Sequence, residues 1–150
     1  MGTIGEEIQQ KKFISEYHKM VMNIVYTGNW ITALNSSHLR KHNLSPPQFN
    51  ILRILRGQHP KPATVNLLIE RMLDKMSNAS RLVDRLKEKG WVERSTNEND
   101  RRACDVLISK KGLSLLKKID EEQEEWEESF SGITKAEAKE LNRLLDKLRG

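Results

Sequence analysis

The stretch Arg81-Leu82-Val83-Asp84-Arg85-Leu86-Lys87-Glu88-Lys89-Gly90-Trp91-Val92-Glu93-Arg94, followed by Asn97-Glu98-Asn99-Asp100-Arg101-Arg102 and Val106-Leu107-Ile108, decides the fold. Ala79, Leu82, Val83 and Leu86 fall at i, i+3, i+4 and i+7, which gives a helix one apolar face. Ser77, Asn78, Arg81 and Arg85 lie largely off that face, so the polar side is open to a partner. Lys87 and Lys89 complement the helix dipole in the last turn, and Gly90 supplies the left-handed residue that ends a helix. Two short apolar runs then flank a charged tip, which is the pattern of a β-hairpin. A plain helix and hairpin would account for the stop, but not for Asp100, Arg101 and Arg102 gathered at the tip. The pattern predicts a winged helix that holds DNA.

Charge distribution supports a polyanionic partner and says where it sits. The chain of 150 residues has a net charge of +5 and a pI near 9.4. Residues 75–119 carry twelve Lys or Arg against six Asp or Glu, whereas residues 120–150 carry five against ten. A basic centre facing nucleic acid and an acidic tail facing solvent or protein satisfy both blocks. A length of 150 residues fits a single protomer with extra helices for assembly. One cysteine, Cys104, excludes an intrachain disulfide and a cysteine metal cluster. No apolar run approaches the roughly 18 residues of a membrane span. The first residues show neither a basic segment followed by an apolar core nor a myristoylation pattern, since Glu6 stands where Ser or Thr is needed. A cytoplasmic protein without a membrane partner is expected.

Apolar residues Phe13, Tyr17, Met20, Ile24 and Ile31 recur at helical spacing, which predicts one long amphipathic helix over about residues 8–42, kinked or broken at Gly28-Asn29. Its broad stripe exceeds what a small core needs and suggests a subunit interface. Ser45-Pro46-Pro47-Gln48 has the form of a capping box with proline in the first turn, leading into Phe49, Ile51, Leu52 and Leu55; Gly57, Pro60 and Pro62 close that helix. Thr64 opens a positioning helix with Val65, Leu68, Ile69 and Met72 on one face. Leu73 to Met76 form the turn, with Asp74 as cap of the next helix. After the hairpin, Leu113, Leu116, Ile119, Gln123, Trp126 and Phe130 predict a second long helix. Thr134 to Glu137 form a second capping box, ahead of a last helix whose apolar face is Leu141, Leu144, Leu145 and Leu148.

The candidate DNA contacts follow from the chemistry of base edges and phosphates. Lys75, Ser77, Asn78, Ser80, Arg81 and Arg85 lie at the start and on the outer side of the recognition helix. A guanidinium at Arg81 matches guanine, the amide of Asn78 matches adenine, and small hydroxyls permit close approach. At the hairpin tip Arg101 and Arg102 suit a narrow minor groove, with Asp100 in a D-x-R arrangement to steady the guanidinium.

Taken together, Arg81 to Leu86, Lys89 to Arg94, Asp100-Arg101-Arg102-Ala103 and Ile108 to Gly112 resemble the MarR family of bacterial transcription regulators over about residues 45–112. The resemblance implies a mainly α protomer with a small β-hairpin wing: a winged helix-turn-helix lobe at 45–112, and dimerisation helices at 8–44 and 113–150. It also implies a homodimer on a pseudo-palindromic operator, a repressor role, and release of DNA by a small phenolic or apolar compound, an oxidant or a metal. Carried over by position, it places the recognition helix at Met76 to Lys89, Arg102 in the minor groove and Asp100 as its orienting partner. Three residues depart from the pattern: Leu73 where glycine is frequent, Asp105 in the returning strand, and no cysteine in the first helix where oxidant sensors carry one.

No resident cofactor is expected. Cys104 on the wing reads as structural rather than redox-active. His38 and His42, at i and i+4, have no evident third ligand and read as a solvated pair. Trp30, Tyr17, Trp126, Met20 and Met22 are either core or the lining of an apolar inducer pocket. The competing reading is a winged-helix module that docks an acidic protein. Catalysis has no support, because no nucleophile with a base, phosphate loop or metal constellation is present.

Overall fold

The computed structural model describes residues 2–150. Short α1 (Ile4–Glu7) precedes α2 (Glu16–Arg40), whose N-cap Ser15 accepts from the His18 backbone N–H at 3.1 Å. The long helix thus starts later than its apolar periodicity predicts. Gln9, at φ 52°, turns the chain back, and the Tyr26 hydroxyl donates to Glu7 at 2.8 Å to hold α1 on α2. The helix passes straight through Gly28 and Asn29, where a kink or break is expected from sequence. One glycine costs a helix about 1 kcal/mol, and the turns on either side sustain it.

Helix α3 (Pro46–Gln58) has the capping box read from Ser45 and Gln48, and it continues through Gly57 before ending ahead of Pro60. Strand β1 (Ala63–Thr64) follows, and Thr64 also caps α4 (Val65–Arg71) by accepting from Leu67 N–H at 3.2 Å. Ile69, read on the core face of that helix, is exposed instead. Helix α5 (Ala79–Glu88) leads through Gly90, at φ 77°, into β2 (Val92–Thr96), and β3 (Cys104–Ile108) returns. The sheet is antiparallel in the order β1-β3-β2, with Val92 opposite Ile108 and Thr96 opposite Cys104. Its third strand is absent from the sequence reading because two residues carry no periodicity.

Helix α6 (Lys110–Asp120) ends at Glu121, and α7 (Gln123–Glu128) begins after a one-turn interruption where one long helix is expected. Helix α8 (Lys135–Arg149) has the capping box of Thr134 and Glu137. Gly112 opens α6 against the sheet, where a Cβ would stand 2.4 Å from the Trp91 carbonyl oxygen, so a larger residue cannot be accommodated without movement. The core runs from Leu39 to Ile119 and centres on Ile51, Leu52, Leu55, Leu68, Val83, Leu86, Val106 and Leu116. It places the outer side of α5 and the β2–β3 tip at the surface.

Candidate nucleic-acid interface

The apolar face of α5 seats as its spacing predicts: Ala79, Val83 and Leu86 are buried and Leu82 is partly so. Its N-terminus differs from the expected Met76 start. Asn78 is the N-cap and its Oδ1 accepts from Arg81 N–H at 3.0 Å, which satisfies one of the donors that a helix start leaves open. The Asn78 amide oxygen, expected on adenine, is therefore engaged in the cap of its own helix.

Asp74, read as that cap, instead closes the preceding turn, accepting from Met76 N–H at 2.9 Å and from the Ser77 hydroxyl at 2.8 Å. The Ser77 hydroxyl first, and then the Met76 N–H, hold the Asp74 carboxyl below its ordinary value. The Lys75 ammonium turns back to the carbonyls of Ile69, at 3.2 Å, and Glu70, completing the C-terminus of α4. Lys75 and Ser77, expected on DNA, thus shape the turn. Asn50 on α3 accepts from Leu73 N–H at 2.8 Å, a contact that no local sequence pattern signals.

In the wing, Asn97 Oδ1 accepts from Asn99 and Asp100 N–H at 2.8 and 2.9 Å, while its amide donates to Asp105 at 2.7 Å. Asp105 therefore holds the hairpin rather than only adding charge to the strand. Asp100 Oδ1 accepts from the Arg102 backbone N–H at 2.9 Å. This corrects the expected carboxylate–guanidinium contact: Asp100 shapes the turn that presents Arg102, and the Arg102 side chain stays exposed.

The arginines of this region divide into two kinds. Arg94 pairs with Asp84 and its Nε donates to the Cys104 sulfur at 2.9 Å, tying β2 to α5 and β3. This gives half-buried Cys104 a structural contact. The guanidinium groups of Arg81, Arg85, Arg101 and Arg102 have no hydrogen-bond or ion-pair partner among the described residues, and all four are exposed. Two stand on a helix narrow enough for a major groove and two at the tip of the adjoining hairpin. Ser80 lies half-buried in the first turn of α5.

A profile of the MarR family matches residues 42–103, the segment that contains the capped helices and the wing. The uncharacterized HTH-type transcriptional regulator YpoP of Bacillus subtilis is 34% identical over 106 residues, covering 70% of this chain and 74% of that one. The chain belongs to the MarR family. The HTH-type transcriptional repressor IacR of Pseudomonas putida is 29% identical over 109 residues, 72% of this chain; the match spans only 64% of IacR's length. Among solved structures, a MarR-like transcription regulator from Bacillus cereus superposes with a TM-score of 0.78 at 26% identity, covering 89% of this chain and 96% of that one. The winged helix-turn-helix architecture is shared throughout.

Within this MarR-family fold, His38 and His42 are not the solvated pair expected. Glu122 Oε2 meets His42 Nε2 at 3.0 Å, Lys41 Nζ at 3.0 Å and His38 Nε2 at 3.4 Å, joining the end of α2 to the break between α6 and α7. The His42 hydrogen bond first, and Lys41 after it, hold the Glu122 carboxyl below its ordinary value. A carboxyl with a depressed folded pKa contributes stability above its unfolded pKa and loses it as pH falls through the folded one. Glu122→Gln is expected to lower stability at neutral pH by roughly 1 to 3 kcal/mol. In thermal melts from pH 7 to 3, its difference from the parent should close as pH falls below the ordinary Glu value of about 4.3. A difference that persists unchanged at pH 3 would remove the carboxylate from this role.

The aromatic residues divide as well. Trp126 stacks edge-on with Phe130 at 4.7 Å and donates to Asn35 at 2.9 Å, and Phe130 meets Trp30 at 5.9 Å, so these rings join α7 to α2. Trp30 also lines a cavity of about 190 Å³ with Ile4, Glu7, Asn23, Tyr26 and Thr27. Tyr17 is exposed and Trp126 lies outside that cavity, so only part of the expected lining assembles. No helix among the described residues is long and apolar enough to cross a membrane.

Proposed function

We propose that this chain is a dimeric, sequence-specific DNA-binding transcription regulator, acting in the cytoplasm as a ligand-responsive repressor and catalysing no reaction. The observation that carries the reading is the set of four exposed arginines without a partner among the described residues, Arg81 and Arg85 on the capped helix α5 and Arg101 and Arg102 on a wing turn held by Asn97, Asp100 and Asp105. An interior pairing would quench such groups; a polyanion with a major and a minor groove uses both sets. Residues 45–112 form the DNA lobe in this reading, and residues 8–44 and 113–150 the dimerisation helices. A dimer would place its recognition helices about 34 to 36 Å apart on a pseudo-palindrome. A small apolar or phenolic ligand releases DNA if it binds a dimer with different helix spacing more tightly. The cavity beside Trp30 and Tyr26 supports a ligand of that class.

The test is selection from a pool of random duplex DNA at two salt concentrations, with Arg102→Ala alongside the parent. The parent is expected to enrich a pseudo-palindrome. The variant should bind more weakly across sequences, with the slope of log affinity against log salt reduced by about one per half-site. Salt-sensitive binding without an enriched motif would reduce the basic face to a general electrostatic surface and favour an acidic protein partner.

A further inference from the structure

The loop between α4 and α5 is held in shape by its own polar side chains. They fold back onto the chain while staying at the surface: Lys75 on the α4 carbonyls, Asp74 on Met76 N–H and the Ser77 hydroxyl, and Asn78 on Arg81 N–H. Asn50 anchors Leu73 N–H from α3. The apolar side chains of the same loop turn out. Leu73 is 89% exposed and Met76 is 92% exposed, whereas Met72 beside them is buried.

Single exposed apolar residues are common and need no explanation. Here two large ones stand three positions apart on a segment whose conformation is pinned at each side, directly before the first turn of α5 that carries Ser80 and Arg81. They belong to a different segment from the apolar stripes of α2 and α8, which are the surfaces suited to a second copy of the chain. Their neighbours Arg81 and Arg85 are unpartnered cations, so the surface suits a polyanion. The apolar group that a DNA major groove displays on its base edges is the thymine C5 methyl.

We propose that Leu73 and Met76 are specificity residues that pack on thymine methyl groups in the operator's major groove, just outside the bases met by the first turn of α5. The inference rests on the DNA-binding reading and adds to it a source of selectivity that hydrogen-bonding residues do not supply. A pinned loop loses little conformational freedom on contact, so the apolar burial is realised as discrimination. It also follows that Leu73, which departs from the glycine frequent at that position, extends the contact surface.

The experiment starts from the duplex the parent selects from the random pool. Each thymine is replaced in turn by uracil, which keeps base pairing and removes only the methyl. For the parent, one or two positions per half-site should lose affinity by roughly fourfold per methyl, the value of one buried methyl or methylene group. With Leu73→Ala or Met76→Ala, thymine and uracil duplexes should bind alike at those positions, and neither variant should shift the melting temperature, because both side chains are exposed. Parent and variants with identical uracil profiles would overturn the inference while leaving the regulator reading intact. A parent that selects no motif would overturn the regulator reading, and this inference with it.

Discussion

Arg81→Ala is expected to lower the affinity of the dimer for its selected operator by about 2 to 6 kcal/mol, one bidentate base contact of about 1 to 3 kcal/mol being lost from each half-site. The loss should fall mainly on the operator and little on scrambled duplex at the same salt, and the base preference at one position per half-site should relax. Arg81 is the third residue of α5, its backbone N–H is fixed by the Asn78 cap at 3.0 Å, and its guanidinium is unpartnered among the described residues. Docked helices of this class read base edges with the N-terminal part of the recognition helix. Fluorescence anisotropy with labelled operator and scrambled duplex separates the outcomes. Equal losses on both duplexes would make Arg81 a phosphate contact, and no loss on either would remove α5 from the groove.

Substituting lysine for Leu144 and Val21 together is expected to convert the proposed dimer to monomers and to cut operator affinity by roughly 10²- to 10⁴-fold, the gain that linking two sites supplies. Leu141, Leu144 and Leu148 lie three and four residues apart on α8, a helix with no buried residue. Tyr17, Val21 and Val25 form a second exposed stripe at four-residue spacing on α2. Isolated helices of about 15 residues are marginal in water, and contiguous apolar stripes of this size mark an interface. In the dimer proposed above, a second copy would cover both stripes with a self-complementary surface. A lysine at the centre of each places an unpaired charge in that contact. Sedimentation of parent and variant at matched concentrations reads the mass directly, and a variant with unchanged mass would assign the stripes to another occupant.

The joint between α2 and the α6–α7 break bears on how the two surfaces communicate. Glu122 gathers Lys41, His38 and His42 from the end of the long helix, and the Trp126–Phe130–Trp30 cluster lies further along the same contact. Under the ligand-responsive reading, a compound that reoriented α2 would act on α6, which packs on α3 and the core beneath α5. A satisfied ionic and aromatic joint resists gradual deformation and favours two discrete arrangements, which is what a shift in helix spacing requires.

Local chemistry and periodicity in the sequence determined the elements and the family. The helical spacing of Ala79, Leu82, Val83 and Leu86, the stop at Gly90, the capping boxes at Ser45 and Thr134, and the charged hairpin tip are each written within a few residues, so they are legible without a fold. The tertiary structure decided which polar groups are engaged within the chain and which are left unpartnered. Asn78, Ser77, Lys75 and Asp100 have the composition of contact residues, yet each is engaged by a backbone or neighbouring group in the turn it occupies. Arg81, Arg85, Arg101 and Arg102 remain free, and Leu73 and Met76 emerge as exposed. Asn50 holding Leu73, the pairing of β1 with β3, and Glu122 meeting two histidines 80 and 84 positions earlier are contacts between distant segments. A side chain's role at such places depends on what the folded chain brings within about 3 Å of it, because hydrogen bonds and ion pairs act at contact range, and residue type by itself carries no record of that neighbour.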